Sequence, residues 1–68
     1  MHVSVDVVGE GSREVELPPE ATYADLVRAV GYSVHEVTVL VDGRPVPEDQ
    51  PVDADREDVR ILRLVKGG

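Results

Sequence analysis

TYADLVRAV, residues 22–30, decides the fold, because its apolar residues follow the period of a helix while the segments around it alternate like strands. The apolar side chains recur at i, i+3, i+4 and i+7, which places them on one helix face: Tyr23, Leu26, Val27 and Val30. Thr22, with Asp25 three residues later, resembles a capping box at the helix start. Gly31 follows where a helix C-terminus favours a left-handed residue. The sequence therefore predicts one amphipathic helix.

The N-terminal part of the chain predicts a β-hairpin. Residues 2–8, HVSVDVV, place valines on one face and polar residues on the other, which is the pattern of a half-buried strand. Residues 9–12, GEGS, read as a turn, and residues 13–17, REVEL, alternate again with Val15 and Leu17 inward. The prolines that follow end the second strand.

Three further segments after the helix predict the rest of the sheet. Residues 37–41, VTVLV, form a strand, and the Asp-Gly pair after it is a strong turn signal. Residues 44–51 hold three prolines and allow at most a short edge strand. Residues 58–65 form the last strand, which we expect to pair in parallel with the first at the sheet centre. The order predicts an α+β fold with one helix on a mixed sheet of four to five strands.

The inward phases of these elements define the expected core. We predict that the following residues pack together: Val3, Val5, Val7, Val15, Leu17, Leu26, Val30, Val39, Val41, Val59 and Ile61.

Length and composition limit the classes of function that this chain could have. Sixty-eight residues make one small domain with a thin core and little room for a deep catalytic pocket. The absence of cysteine excludes disulfides and thiolate chemistry, and neither a membrane span nor a signal peptide is visible, so we expect a soluble cytoplasmic protein. A net charge of −7 disfavours nucleic acid and is typical of a salt-rich cytoplasm.

Three stretches together carry a resemblance to a known family. Residues 22–30, residues 35–52 (HEVTVLVDGRPVPEDQPV) and residues 60–68 (RILRLVKGG) resemble the small archaeal modifier proteins of haloarchaea, within the ubiquitin-like β-grasp superfamily. The resemblance covers essentially the whole chain. It implies a β-grasp domain over residues 1–65 and a flexible tail, residues 66–68, that ends in two glycines.

The diglycine is the expected reactive end. Gly67 has no Cβ, so the backbone can pass through a narrow enzyme channel and deliver the Gly68 carboxylate. The resemblance implies that a ubiquitin-activating-type enzyme adenylates Gly68 with ATP. The product then forms an isopeptide bond with a target lysine or becomes a thiocarboxylate that donates sulfur, with tRNA thiolation as the expected use. We then expect a carrier and not an enzyme, a monomer that holds no cofactor of its own.

Two leucines are candidates for a partner surface. Alternation points Leu40 and Leu62 away from the core, on strands expected to be neighbours, where they would form a small apolar patch near the tail. In ubiquitin-like proteins these strand positions form the main recognition patch. The alternative is two isolated surface leucines, which need no functional explanation.

The basic residues of the tail differ from those of ubiquitin. Lys66 keeps a basic residue directly before the diglycine, but Arg63 stands one place earlier than ubiquitin's alternation of basic residues and leucine requires, and Leu64 occupies that place. We therefore expect a dedicated archaeal activating enzyme. Lys66 is the only lysine in the sequence. It either steers an otherwise acidic tail toward ATP or an acidic groove, or it accepts another modifier in a chain, for which the α-amine of Met1 is the alternative acceptor.

The other candidate sites are weak. Residues 53–58, DADRED, resemble the opening of a calcium loop but lack its glycine and its final glutamate, so we expect a solvated acidic loop. His2 and His35 have no companion at ligand spacing, so no metal site is expected. No serine, histidine and acid form a nucleophilic constellation.

Two other functions stay open from the sequence. A dedicated sulfur carrier, such as the small subunit of molybdopterin synthase or a thiamine-pathway carrier, shares the fold and the diglycine. An interaction domain with an inert tail belongs to a different class, and its binding would not depend on the last residues.

Overall fold

The computed structural model describes residues 1–53 and 58–64. Within them lie five strands and one helix: β1 (His2–Val7), β2 (Gly11–Glu16), α1 (Tyr23–Ala29), β3 (Val37–Val41), β4 (Arg44–Pro45) and β5 (Val59–Arg63). The order of elements along the chain is the predicted one, and the α+β fold with one helix on a mixed sheet is confirmed.

The sheet is organised around one parallel pair of strands. Its order is β2-β1-β5-β3-β4, so β1 and β5 occupy the interior. They run parallel, with Val7 beside Ile61 and Asp6 beside Arg60. All other neighbours in the sheet are antiparallel. The predicted pairing of the first and last strands at the centre of the sheet is therefore confirmed, and the sequence between them forms the crossover that carries the helix.

The helix begins at the capping box that the sequence predicts. The Thr22 backbone N–H donates to the Asp25 carboxylate at 2.9 Å, and the Asp25 backbone N–H donates to the Thr22 hydroxyl at 3.5 Å. These bonds satisfy donors that have no partner inside a helix. The Arg28 guanidinium also donates to Asp25, at 2.6 Å. The hydrogen bonds that the Asp25 carboxylate accepts from the Thr22 backbone N–H and from Arg28 hold the pKa of Asp25 below its ordinary value. The bond from the Thr22 N–H is the largest cause.

The helix ends in a Schellman motif around Gly31. This residue has a φ of 91°, its N–H donates to the Arg28 carbonyl oxygen at 3.0 Å, and the Tyr32 N–H donates to the Val27 carbonyl oxygen at 3.1 Å. The two bonds satisfy carbonyl oxygens that have no hydrogen-bond partner within the helix. A residue with a Cβ would be strained at this φ, which explains the glycine.

The β3–β4 hairpin turns on Asp42 and Gly43. Both residues have positive φ, 53° and 81°, which matches the tight hairpin turn expected of an Asp-Gly pair. The strand that follows is only two residues long, as the prolines predict, and it lies at the edge of the sheet. No helix in the described part of the chain has the length and apolar character that a membrane crossing requires.

The core lies between the helix and one face of the sheet, and its buried hydrophobic residues are Val3, Val5, Val7, Leu17, Ala21, Tyr23, Leu26, Val27, Val30, Val37, Val39, Val41, Val52, Val59 and Ile61. The predicted core is confirmed except for Val15, which is only half-buried. Val15 has the inward phase, but it lies on edge strand β2, whereas the main strand contact of the helix is β3.

Two buried residues outside the predicted core list connect distant parts of the chain. Tyr23 is fully buried, and its hydroxyl accepts a hydrogen bond from the Asp53 backbone N–H at 3.4 Å. Val52 is buried in an irregular segment, where its N–H donates to the Ala21 carbonyl oxygen at 2.9 Å. These contacts bind the segment after β4 to the start of the helix.

Ile61 tests the strand phase. Its side chain is fully buried on the central strand β5, so Ile61→Ala removes packing atoms and leaves a cavity. We expect the free energy of unfolding to fall by about 2–5 kcal/mol, measured by urea denaturation. Val15→Ala, in the half-buried edge position, serves as the control and should cost less. A loss below about 1 kcal/mol for Ile61→Ala would contradict the assigned core.

Asp25 tests the electrostatics of the helix cap. Because its pKa is lowered in the folded state, its charge stabilises the fold above the ordinary aspartate pKa of about 4 and this contribution is lost as pH falls through the folded-state value. We expect the difference in unfolding free energy between the wild type and Asp25→Asn to shrink from about pH 7 to about pH 2. A difference that stays constant over this range would show that the charge contributes nothing.

Candidate functional site

The outer face of the sheet, opposite the helix, carries the two leucines that the sequence singles out. In β3 the buried residues alternate with Thr38 and Leu40, and in β5 Val59 and Ile61 are buried while Leu62 is exposed. Leu40 is half-buried and Leu62 is 39% exposed. Both leucines therefore lie on the solvent side of the sheet, as their phase predicts.

The antiparallel register places these leucines close together. Leu62 lies opposite Thr38, and Leu40 lies opposite Arg60. Leu40 and Leu62 are thus diagonal neighbours, a relation in which Cα atoms lie roughly 7–8 Å apart and long side chains can touch. The two leucines form part of one surface and are not isolated positions.

Two further apolar residues extend this surface, and the sequence reasoning missed both. Val8 is 42% exposed, and its N–H donates to the Ile61 carbonyl oxygen at 3.0 Å, directly beside Leu62. Leu64 is 50% exposed and stands two residues after Leu62 on the same strand path. The signal was available, since continuing the alternation of the first strand to Val8 and of the last to Leu64 gives both the outward phase. We call Val8, Leu40, Leu62 and Leu64 the outer apolar patch.

A charged pair borders the patch. The Arg60 guanidinium donates to the Asp58 carboxylate at 3.1 Å, on the side of Leu40. Both side chains are about half exposed, so the pair contributes little to stability. An apolar centre with a polar border is the usual arrangement of a protein–protein contact surface.

The end of β5 is attached to the segment after the helix. The guanidinium carbon of Arg63 lies 5.6 Å from the centroid of the Tyr32 ring, a cation–π contact. The Leu64 N–H donates to the Glu36 carbonyl oxygen at 2.8 Å. Tyr32 itself belongs to the Schellman motif of the helix. These contacts hold the strand that leads to the diglycine, and Arg63, misplaced relative to ubiquitin's alternation, has a structural use here.

The remaining predicted site residues, Lys66, Gly67 and Gly68, lie outside the described residues, as does the predicted boundary between domain and tail. Most of the acidic segment considered as a calcium loop, residues 54–57, also lies outside them.

Two other places on the surface offer possible ligand groups. His2 lies between the carboxylates of Glu14 and Glu16, at 3.4 and 3.5 Å, but no group of three metal-ligating side chains converges within residues 1–53 and 58–64. An open groove of about 500 Å³ follows the β3–β4 hairpin, lined by Val41, Asp42, Arg44, Pro45, Val46 and Gln50. Its lining includes one acid and one base and no nucleophilic hydroxyl or thiol.

Comparison with known proteins agrees with this architecture. A profile of the family described as Small archaeal modifier protein 2 matches residues 1–65. The chain belongs to the small archaeal modifier protein 2 family. Small archaeal modifier protein 2 of Haloferax volcanii is 66% identical over 68 residues, which is the full length of both chains. An Archaeoglobus fulgidus protein is 29% identical over 69 residues, again along the full length of both.

The crystal structure of the Haloferax volcanii small archaeal modifier protein 2 shares the fold. It superposes with a TM-score of 0.73 at 65% identity and covers 97% of each chain. The β-grasp described above is therefore that of a ubiquitin-like modifier, and the expected family resemblance is confirmed. Membership of the small archaeal modifier protein 2 family makes this chain a modifier protein. The outer apolar patch and the C-terminal glycines can therefore be interpreted as features of a modifier.

Proposed function

We propose that this protein is a ubiquitin-like modifier and sulfur carrier that is activated at the carboxylate of Gly68. The observation that carries the proposal is the position of the outer apolar patch: Leu62 lies on β5 and Leu64 directly after it, only four residues before Gly68 in the sequence. An enzyme that binds this patch is thereby close to the end of the chain. The family match supports the modifier role.

The chemistry begins with an unreactive group. A carboxylate resists acyl transfer because its oxygen is a poor leaving group, so a Gly68 oxygen must first attack the α-phosphorus of ATP and release pyrophosphate. A lysine amine of a target protein then attacks the acyl-adenylate carbonyl, loses a proton and forms an isopeptide bond. Alternatively hydrosulfide attacks the same carbonyl and forms a thiocarboxylate, and AMP leaves in both cases. The activating enzyme binds ATP, and the modifier supplies only the acyl group.

The short distance between patch and carboxylate explains why both are needed. Four residues follow Leu64 in the sequence, and four extended residues span at most about 14 Å. The activating enzyme must therefore contact the body of the domain near Leu62 and Leu64 while it adenylates the Gly68 carboxylate. The absence of Cβ atoms at Gly67 and Gly68 leaves the backbone narrow at the place where the enzyme closes around it.

The proposal has two forms, which differ in the partner that receives sulfur from the thiocarboxylate. We propose that the thiocarboxylate form serves tRNA thiolation through a partner enzyme in the cytoplasm, since the acidic surface disfavours direct contact with RNA. A dedicated sulfur carrier would instead form a stable complex with a large synthase subunit. Lys66, the only lysine, is the acceptor that we propose for any chain of modifiers.

Intact mass spectrometry of the protein from cells tests both branches at once. The mass increase for one oxygen replaced by sulfur would show the thiocarboxylate, and Gly-Gly remnants on lysines of other proteins would show conjugation. A remnant on Lys66 would show chains. Neither product in cells that carry an active adenylating enzyme would overturn the proposed function.

Removing the diglycine tests the reactive end. Gly67 and Gly68 carry no side chain that could pack on the core, so their deletion should leave the melting temperature unchanged. We expect the same deletion to abolish ATP–pyrophosphate exchange with the cognate activating enzyme, and Gly68→Ala to slow it by crowding the carbonyl. Full exchange activity in the shortened protein would contradict activation at Gly68.

Charge substitutions in the outer apolar patch test the docking surface. Leu62→Asp and Leu40→Asp place an unpaired charge in an apolar contact, so we expect a higher KM of the activating enzyme for the modifier at an unchanged melting temperature. Leu62→Asp should have the larger effect, because Leu62 is more exposed and its strand leads to the tail. Ser4→Asp, on the outer face of β1 away from the patch, is the matched control. Equal effects of all three variants would indicate a general charge effect.

A further inference from the structure

Strand β2 forms one edge of the sheet, and its outward backbone groups have no partner in the part of the chain that the structure describes. Met1 and Leu17 exchange both backbone hydrogen bonds, since the Met1 amino group donates to the Leu17 carbonyl oxygen and the Leu17 N–H donates to the Met1 carbonyl oxygen. Hydrogen-bonded pairs alternate along an antiparallel ladder, so the register makes Val3 with Val15 and Val5 with Arg13 the next such pairs.

The alternation leaves three residues of β2 facing outward with their backbone. Ser12, Glu14 and Glu16 direct their N–H and C=O groups away from β1, and within residues 1–53 and 58–64 these groups have no hydrogen-bond partner. The edge is six residues long and exposed along almost its whole length. An unpaired edge of this kind is a template for another strand.

The two faces beside this edge differ in character. On the outer face the side chains of Glu14 and Glu16 are 69% and 75% exposed and flank the imidazole of His2, so this face presents two carboxylates around one histidine. On the inner face Val15 packs against the core and is only half-buried, so part of its side chain is accessible to solvent. A strand added to β2 would place alternate side chains beside these two surfaces.

We propose that β2 binds an extended segment of a partner protein by strand addition, and that the segment alternates basic residues with apolar ones. The basic side chains would lie beside Glu14 and Glu16, and an apolar side chain would lie beside Val15 and enlarge the core. A second copy of this chain is disfavoured, because antiparallel pairing of two β2 strands would bring acidic side chains of both copies together.

This binding surface is separate from the outer apolar patch. In the sheet order β2-β1-β5-β3-β4, strand β1 lies between β2 and β5, so the edge of β2 is roughly 10 Å from the strand that carries Leu62. A partner on β2 leaves Leu40, Leu62 and the chain end accessible. The surface therefore goes beyond the proposed function and would allow a second protein to bind while the modifier is attached to an enzyme or target.

A synthetic peptide of alternating valine and lysine tests the proposal. We expect backbone NMR shifts at residues 11–16, slower amide exchange at Ser12, Glu14 and Glu16, and no shift at Leu40 or Leu62. A peptide of the same sequence with N-methyl groups on the edge that faces β2 keeps its charge but loses its backbone donors, and it should bind at least about tenfold more weakly. Equal binding of the two peptides would reduce the effect to charge attraction and overturn the proposal.

Variants of β2 separate its backbone from its charge. Glu14→Pro removes an outward N–H without removing a ladder bond to β1, and edge strands tolerate proline, so binding should fall by at least about tenfold while the far-ultraviolet spectrum is retained. Glu14→Gln keeps the N–H and should weaken binding less, chiefly at low salt. If the proline variant does not fold, the N-methyl peptide decides. Equal binding of a valine–glutamate peptide, or a β2-mediated dimer of the free protein, would also overturn the proposal.

Discussion

The parallel pairing of β1 and β5 is the constraint on which the rest of the structure depends. These strands come from the two ends of the described chain, and their register sets Val7 beside Ile61 in the centre of the core. A parallel pair requires a crossover, and the only helix in the described part of the chain lies in it. The pairing also fixes the direction of β5, so that its C-terminal end emerges beside Val8 and the outer apolar patch.

The alternation of side chains in β5 therefore determines both the core and the proposed recognition surface. In β5, Ile61 supports the core and Leu62 faces solvent, and a slip of one residue in the register would exchange them. The burial of the inner residues thus holds the exposed leucines in place. A partner that binds the outer apolar patch meets a surface whose geometry is set by the core, and little ordering of the modifier body is needed on binding.

Periodicity and turn chemistry predicted most of the fold, because both act over a few residues. The capping box at Thr22, the left-handed Gly31 and the Asp-Gly hairpin are local rules, and the structure follows them. The half-burial of Val15 could not be predicted in this way, since it depends on which strands the helix covers. The burial of Val52 likewise comes from a long-range contact, through Ala21, that no local pattern contains.

The candidate site, too, has features that local patterns predict and features that depend on long-range contacts. Leu40 and Leu62 could be found from phase alone, and Val8 and Leu64 needed only the same rule carried to the strand ends. Their arrangement as one patch required the register between strands, which the sequence does not state. The contact of Arg63 with Tyr32 could not be predicted from the sequence either, because it joins residues that are far apart along the chain.

A small domain with a thin core is suited to the proposed role of a carrier. An enzyme must hold several groups around a reacting atom and exclude water from them, which demands a concave interior that a chain of this size cannot easily build. A carrier can leave that task to its partners if it presents a stable surface and a narrow chain end. We propose two such surfaces here, the outer apolar patch, centred on β3 and β5, and the edge of β2, and strand β1 lies between β2 and β5. Because both are produced by the same paired strands, the fold can offer them to different proteins without changing its conformation.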